Sequence, residues 1–146
     1  MSDLSAEFTG LGPTLQGIQI ANISYADDVA LLSESATELN LMLQILENYC
    51  KENGLIINTE KTKVMVFGKG PIPLNSKTFL LQGMQLEIVN EFRYLGVIFT
   101  PHLTFSKHVQ NIIAKAKSRI GVLFARAPVK EVHLDLAKQL FQCYVQ

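Results

Sequence analysis

The sequence predicts an α+β fold, and three observations carry that prediction. Apolar residues alternate through "GIQIANISYADDVALL", recur at spacings of three and four through residues 36–52, and alternate again in short runs between residues 55 and 99. From Thr104 the period returns to that of a helix. At 146 residues with 48% apolar content, the chain is about one domain long and can bury a core.

The elements follow in order. Residues 1–19 hold Gly10, Gly12, Pro13 and Gly17 among polar residues and read as loop, with a short helical stub at "SDLSAEF". Two strands joined around Asp27 and Asp28 come next, placing both carboxylates at a hairpin tip. Ser35 with Glu38 three residues on forms a capping box, and Gly54 suits the left-handed position after a helix end. The helix between them turns Leu39, Met42, Leu43, Leu46, Tyr49 and Cys50 to a core. "LIINTEKTKVMVFG" resumes strand character at Val64 and Val66, and a hairpin about Gly83–Met84 joins "TFLLQ" to "QLEIV". "EFRYLGVIF" completes this hairpin-rich region.

Beyond Thr104, Phe105, Val109, Ile112, Ile113, Ala116, Ile120 and Leu123 mark one helix face, while Lys107, Lys115, Lys117 and Arg119 lie off it. Pro128 ends this helix. A last one, "KEVHLDLAKQLFQCYVQ", reaches the end of the sequence without a stop signal, so the chain is expected to be cut there.

Composition excludes several classes. Thirteen basic and 13 acidic residues cancel, so no global field draws the chain to nucleic acid or an anionic membrane, and such binding requires local patches. No apolar run approaches the ~20 residues of a membrane span, and the N-terminus has no signal-peptide pattern. Cys50 and Cys143 stand alone, without zinc-site spacing or disulfide density, which points to a reducing, intracellular compartment.

Adjacent carboxylates at a tight turn can hold divalent cations that orient phosphates for in-line displacement. Aspartate is also an ordinary turn residue, since its side chain bonds locally to backbone. The flanks weigh toward the first reading. "YADDVALLSES", then "GLIINTEKTKVMVFGK", then "FRYLGVIF" resemble, in order and spacing, motifs C, D and E of the reverse transcriptases of non-LTR, LINE-like retrotransposons.

The resemblance implies a partial polymerase palm over residues 1–100 and the start of a helical thumb over 101–146. It makes Asp27 and Asp28 the Mg²⁺ ligands, with Tyr25 and Ala26 lining the primer terminus and incoming nucleotide. Lys61 takes the place of a general acid for the pyrophosphate leaving group, with Lys63 as the alternative; solvated surface charge is the plain reading of both. Phe92, Tyr94, Leu95 and Gly96 fall where a backbone turn meets the primer, or Phe92 and Tyr94 are simply core. Lys107, Lys115, Lys117 and Arg119 would track template phosphates, or form a solvated helix face.

The family pattern also calls for parts that are not found here: a motif A aspartate upstream, a motif B helix and the fingers. Before "YADD" stand only Asp3 and Glu7, neither set in an apolar strand. The expectation is a fragment or relic of an RNA-directed DNA polymerase that acts on an RNA template and DNA primer in its parent enzyme but is inactive alone. The alternative is a non-catalytic nucleic-acid-binding or oligomerisation module derived from such an element. Loss of the strand beside the hairpin leaves an open edge and predicts a homodimer.

Overall fold

A computed structural model describes residues 4–69 and 78–126, together with Lys138, Gln139 and Gln142. The predicted C-terminal helix therefore lies almost wholly outside the described residues. Helices and small, mostly antiparallel sheets make up a mixed α and β chain, which divides into two compact units, Met1–Asn90 and Glu91–Gln146.

The first unit begins with a short helix α1, Leu4–Glu7, in the expected stub. The segment read as loop then contains a hairpin: β1, Thr14–Leu15, pairs with β2, Ile18–Gln19, across a turn in which Gln16 and Gly17 both have positive φ. Leu15 and Ile18 are 63% and 68% exposed; no burial pattern announced β1, while β2 lies at the start of the alternating run "GIQIANISYADDVALL". Strands β3, Asn22–Tyr25, and β4, Asp28–Leu31, form the aspartate hairpin.

Helix α2, Ala36–Glu52, follows within the predicted bounds. The Ser35 hydroxyl caps it by accepting the Glu38 amide at 3.1 Å. At the far end the Leu55 and Gly54 amides return to the carbonyls of Cys50 and Lys51, and Gly54 takes the left-handed φ of +67° that this ending requires. Met42, Leu43, Tyr49 and Cys50 are buried on the predicted face. Burial also pushes the Cys50 thiol above its ordinary range, as desolvation disfavours the thiolate.

Strand β5 is only Lys63–Val64, and it pairs in parallel with β8, Glu87–Ile88. The expectation of hairpins alone missed this crossover. Between the two, β6, Leu80–Leu81, and β7, Met84–Gln85, form a hairpin whose turn is Gln82–Gly83, one residue earlier than predicted. Leu43, Val64, Phe79, Leu81 and Leu86 form the buried cluster, with Leu31, Leu39, Ile57 and Ile88 packed around it. The core thus lies between α2 and these short strands.

In the second unit, β9, Phe92–Tyr94, pairs with β10, Val97–Phe99, across Leu95 and Gly96. Helix α3, Ser106–Arg126, packs on β10. The Phe99 and Phe105 rings meet edge to face with centroids 6.2 Å apart, and His108 Nδ1 accepts the Ile98 amide. No helix among the described residues is long and apolar enough to cross a membrane.

Candidate catalytic hairpin

The aspartate hairpin is placed by its register. Tyr25 faces Asp28 and Ile23 faces Ala30 on one side, while Ser24 faces Val29 and Asn22 faces Leu31 on the other. Leu31, at the root, packs against the core cluster, whereas toward the tip both faces are open to solvent, Ser24 and Val29 on one and Ile23, Tyr25 and Asp28 on the other. Tyr25 is accordingly 67% exposed and Ile23 47%. Sequence reasoning placed both aspartates at the tip; the turn itself is Ala26–Asp27, and Asp28 is the first residue of β4.

Ala26 holds φ at 53°, a left-handed conformation that costs a non-glycine residue free energy. Such strain persists only where flanking structure fixes the backbone, and it is enriched at functional turns. Here the paired strands fix it. Asp27 and Asp28 are both exposed, and neither carboxylate bonds to a described residue.

The root of the hairpin is tied more tightly than its tip. The Leu32 amide donates to the Ala21 carbonyl at 2.8 Å, and the Ile20 amide to the Pro13 carbonyl at 2.9 Å. Glu38 does not complete the predicted capping box by reaching back to Ser35. Its carboxylate instead accepts the Glu34 amide and, from 26 residues away, the Gly12 amide, both at 2.9 Å. The first turn of α2 thereby holds the loop that packs on Ala21. The capping spacing flagged Glu38, but its distant partner is chosen only by the fold.

Lys61 and Lys63 part company. Lys63 Nζ lies 2.9 Å from the Glu87 carboxylate, its partner across the parallel pair. Lys61 sits on an exposed turn before β5, and its ammonium has no partner among the described residues. Two residues that received no role of their own shape that turn: Asn58 Oδ1 accepts the Lys61 amide, and the Thr62 hydroxyl donates to the Asn58 carbonyl.

In the second unit, Leu95 and Gly96 form the tip of the β9–β10 hairpin, with Leu95 48% exposed at a left-handed φ of 47°. Phe92 and Tyr94 are half-buried. Of the basic residues on α3, Lys107 is paired with Glu91 at 2.6 Å, and Lys115, Lys117 and Arg119 are exposed. Among the described residues no three His, Cys, Asp or Glu side chains converge as a metal site would require. Glu7 lies exposed on α1, and Asp3 falls outside the described residues.

Residues 2–99 match the family model of the reverse transcriptases (RNA-dependent DNA polymerases). A transposon-derived protein of Caenorhabditis elegans is 34% identical over 60% of this chain and 32% of its own length. A retrovirus-related Pol polyprotein from a type-1 retrotransposable element of Nasonia vitripennis is 30% identical over 75% of the chain and 29% of its own length. The RNA-directed DNA polymerase from the mobile element jockey of Drosophila funebris is 26% identical over 92% of the chain and 17% of its own length. The chain thus spans a third or less of these curated relatives, and no solved structure matches it. With an Asp-Asp hairpin inside the matched region and retrotransposon proteins as its relatives, the chain belongs to the reverse transcriptase family, in the branch of the non-LTR retrotransposons.

Proposed function

We propose that the chain carries the second half of a reverse transcriptase palm, residues 1–100, and the beginning of its thumb, 101–146, within an enzyme that copies RNA into DNA on a DNA primer. The reading rests chiefly on one observation: Asp27 and Asp28 stand exposed, with carboxylates that bond to no described residue, at the end of a hairpin whose root is fixed to the core side of the unit. Oxygen ligands of this kind suit Mg²⁺, which when bound would orient phosphates and stabilise charge on the attacking and leaving oxygens.

In this reading Asp27 and Asp28 hold Mg²⁺, and Tyr25 and Ala26 border the primer terminus and the incoming nucleotide. Lys61 donates a proton to departing pyrophosphate. Its ammonium, without a partner among the described residues, supports it over Lys63, whose cation is held by Glu87. Phe92, Tyr94, Leu95 and Gly96 set a rigid turn against the primer. Lys115, Lys117 and Arg119 line up with template phosphates, joined by Lys107 when it exchanges Glu91 for phosphate.

Two adjacent carboxylates supply only part of the donor set that two metals ~3.5–4 Å apart require. The 146 residues by themselves should then neither extend a primer nor bind Mg²⁺ at micromolar concentration. A full-length enzyme containing them should extend primers and lose that activity when Asp27→Asn is introduced. Primer extension by the isolated chain, or an Asp27→Asn enzyme as active as its parent, would overturn the assignment.

A second reading, a non-catalytic oligomerisation module, draws on the apolar side chains left exposed on the hairpins, Leu15, Ile18, Ile23 and Tyr25. It requires the isolated chain to form a homodimer that survives Asp27→Asn. A monomer in light scattering at high concentration excludes it.

A further inference from the structure

The turn that presents Lys61 is organised by one asparagine. Asn58 Oδ1 accepts the Lys61 amide at 3.0 Å, while the Asn58 carbonyl accepts the Thr62 amide at 3.0 Å and the Thr62 hydroxyl at 2.8 Å. The segment's ends are anchored independently, by the Leu55 amide on the Cys50 carbonyl and by buried Val64. Between them Ile57 touches the core cluster, but Ile56 is 96% exposed. Burial therefore does little to fix residues 58–62, and the hydrogen bonds to Asn58 must do it.

Resting on the proton-donor role given to Lys61 above, we infer that Asn58 is a positioning residue for Lys61, with Thr62 closing the turn. The physical need is specific to lysine. Its ammonium rides on a flexible four-carbon stem, so the one part of its placement that the fold controls is the backbone it leaves from. Proton transfer demands hydrogen-bond reach to the leaving oxygen, and a misplacement of ~1 Å can slow a reaction ~100-fold. An asparagine side chain bonded to that backbone limits the error at its source. Aspartate offers the same acceptor oxygen and should replace it; alanine cannot.

The test compares five forms of a full-length, primer-extending reverse transcriptase carrying this chain: parent, Asn58→Ala, Asn58→Asp, Lys61→Met and the Asn58→Ala, Lys61→Met double variant. Single-turnover incorporation by Asn58→Ala should fall about tenfold with nucleotide affinity nearly unchanged, Asn58→Asp should restore it, and Asn58→Ala should add nothing in the Lys61→Met background. Equal slowing by Asn58→Ala in both backgrounds would overturn the inference while leaving the role of Lys61 intact. An undiminished rate in Lys61→Met would instead remove the role of Lys61 and the inference with it. In the isolated chain, hydrogen exchange at the Lys61 amide should quicken at least about tenfold in Asn58→Ala while the Leu81 and Leu86 amides keep their protection. An unchanged Lys61 amide sinks the positioning claim.

Discussion

Gly10 and Gly12 allow the cost of a close backbone approach to be measured separately from the cost of an unusual φ. Both residues hold φ at +85°, so replacing either with alanine incurs the same left-handed penalty of ~1–2 kcal/mol, partly offset by the ~0.4–1 kcal/mol that alanine gains by restricting the unfolded chain. A Cβ on Gly10 would meet nothing within 4 Å. A Cβ on Gly12 would sit 2.6 Å from the Ala21 Cα, 2.7 Å from the Ile20 carbonyl oxygen and 3.0 Å from the Ala21 nitrogen. All three are backbone atoms at the root of the aspartate hairpin, so no side chain can swing aside. Relief requires the root to move, at an overpacking cost of ~1–3 kcal/mol. Gly10→Ala should thus destabilise by about 1 kcal/mol and Gly12→Ala by about 3 kcal/mol in urea unfolding at constant m value. Hydrogen exchange should locate the difference at the Leu32 amide, which bonds to Ala21. Equal losses in the two variants would mean that the hairpin root is not seated against Gly12, and the account of how the site is anchored would fail.

Three further outcomes are expected. Glu38→Gln retains one carbonyl oxygen for two amide donors and should cost about 1–2 kcal/mol, with faster exchange at Gly12 or Glu34; unchanged exchange at both would show that the carboxylate is not their acceptor. Leu95→Asn creates an Asn-Gly turn, relieving ~1–2 kcal/mol of left-handed strain against the ~1 kcal/mol lost by a half-exposed leucine. Stability should rise slightly while primer extension by the full-length enzyme falls, and a clear loss of stability would identify Leu95 as packing rather than contact surface. Burial raises the Cys50 thiol in the folded state, so its contribution is complete below the unfolded value of 9.0 and is lost as pH rises through the higher folded value. Unfolding free energy should therefore fall as pH rises past 9.0 by more in the parent than in Cys50→Ala; parallel curves would contradict a desolvated thiol.

What could be read from the sequence was what local chemistry decides. Helix α2 was legible because Ser35 caps it, Gly54 ends it, and the residues it buries recur at helical spacing. The hairpin was legible because two charges interrupt an apolar run at a point where only a turn can place them in water. The β1–β2 hairpin was not, since its side chains alternate between no two environments: Leu15 and Ile18 are both exposed. The parallel pairing of Lys63–Val64 with Glu87–Ile88 was hidden for a different reason, because a crossover register is set by the packing of Val64 and Leu86 in a shared core. The partners of Glu38 and Asn58 were equally hidden. Their residue types announce that they bond to backbone, but only the folded chain chooses which backbone.

The same distinction bears on what the two aspartates require. In an apolar strand, adjacent carboxylates would need a cation to be tolerated at all, because a poorly hydrated charge is destabilising and a neighbouring like charge worsens it. In this fold both are exposed, with Asp27 in the turn and Asp28 at the start of β4, so water and salt screen their repulsion without a bound ion. The strain lies instead in the Ala26 backbone, where the paired strands hold it in place. The folding of this hairpin therefore does not itself call for a cation to offset the two charges. Under the proposed palm assignment, carboxylates already exposed to solvent would suit a metal centre completed by ligands from elsewhere in a larger enzyme better than a self-sufficient one.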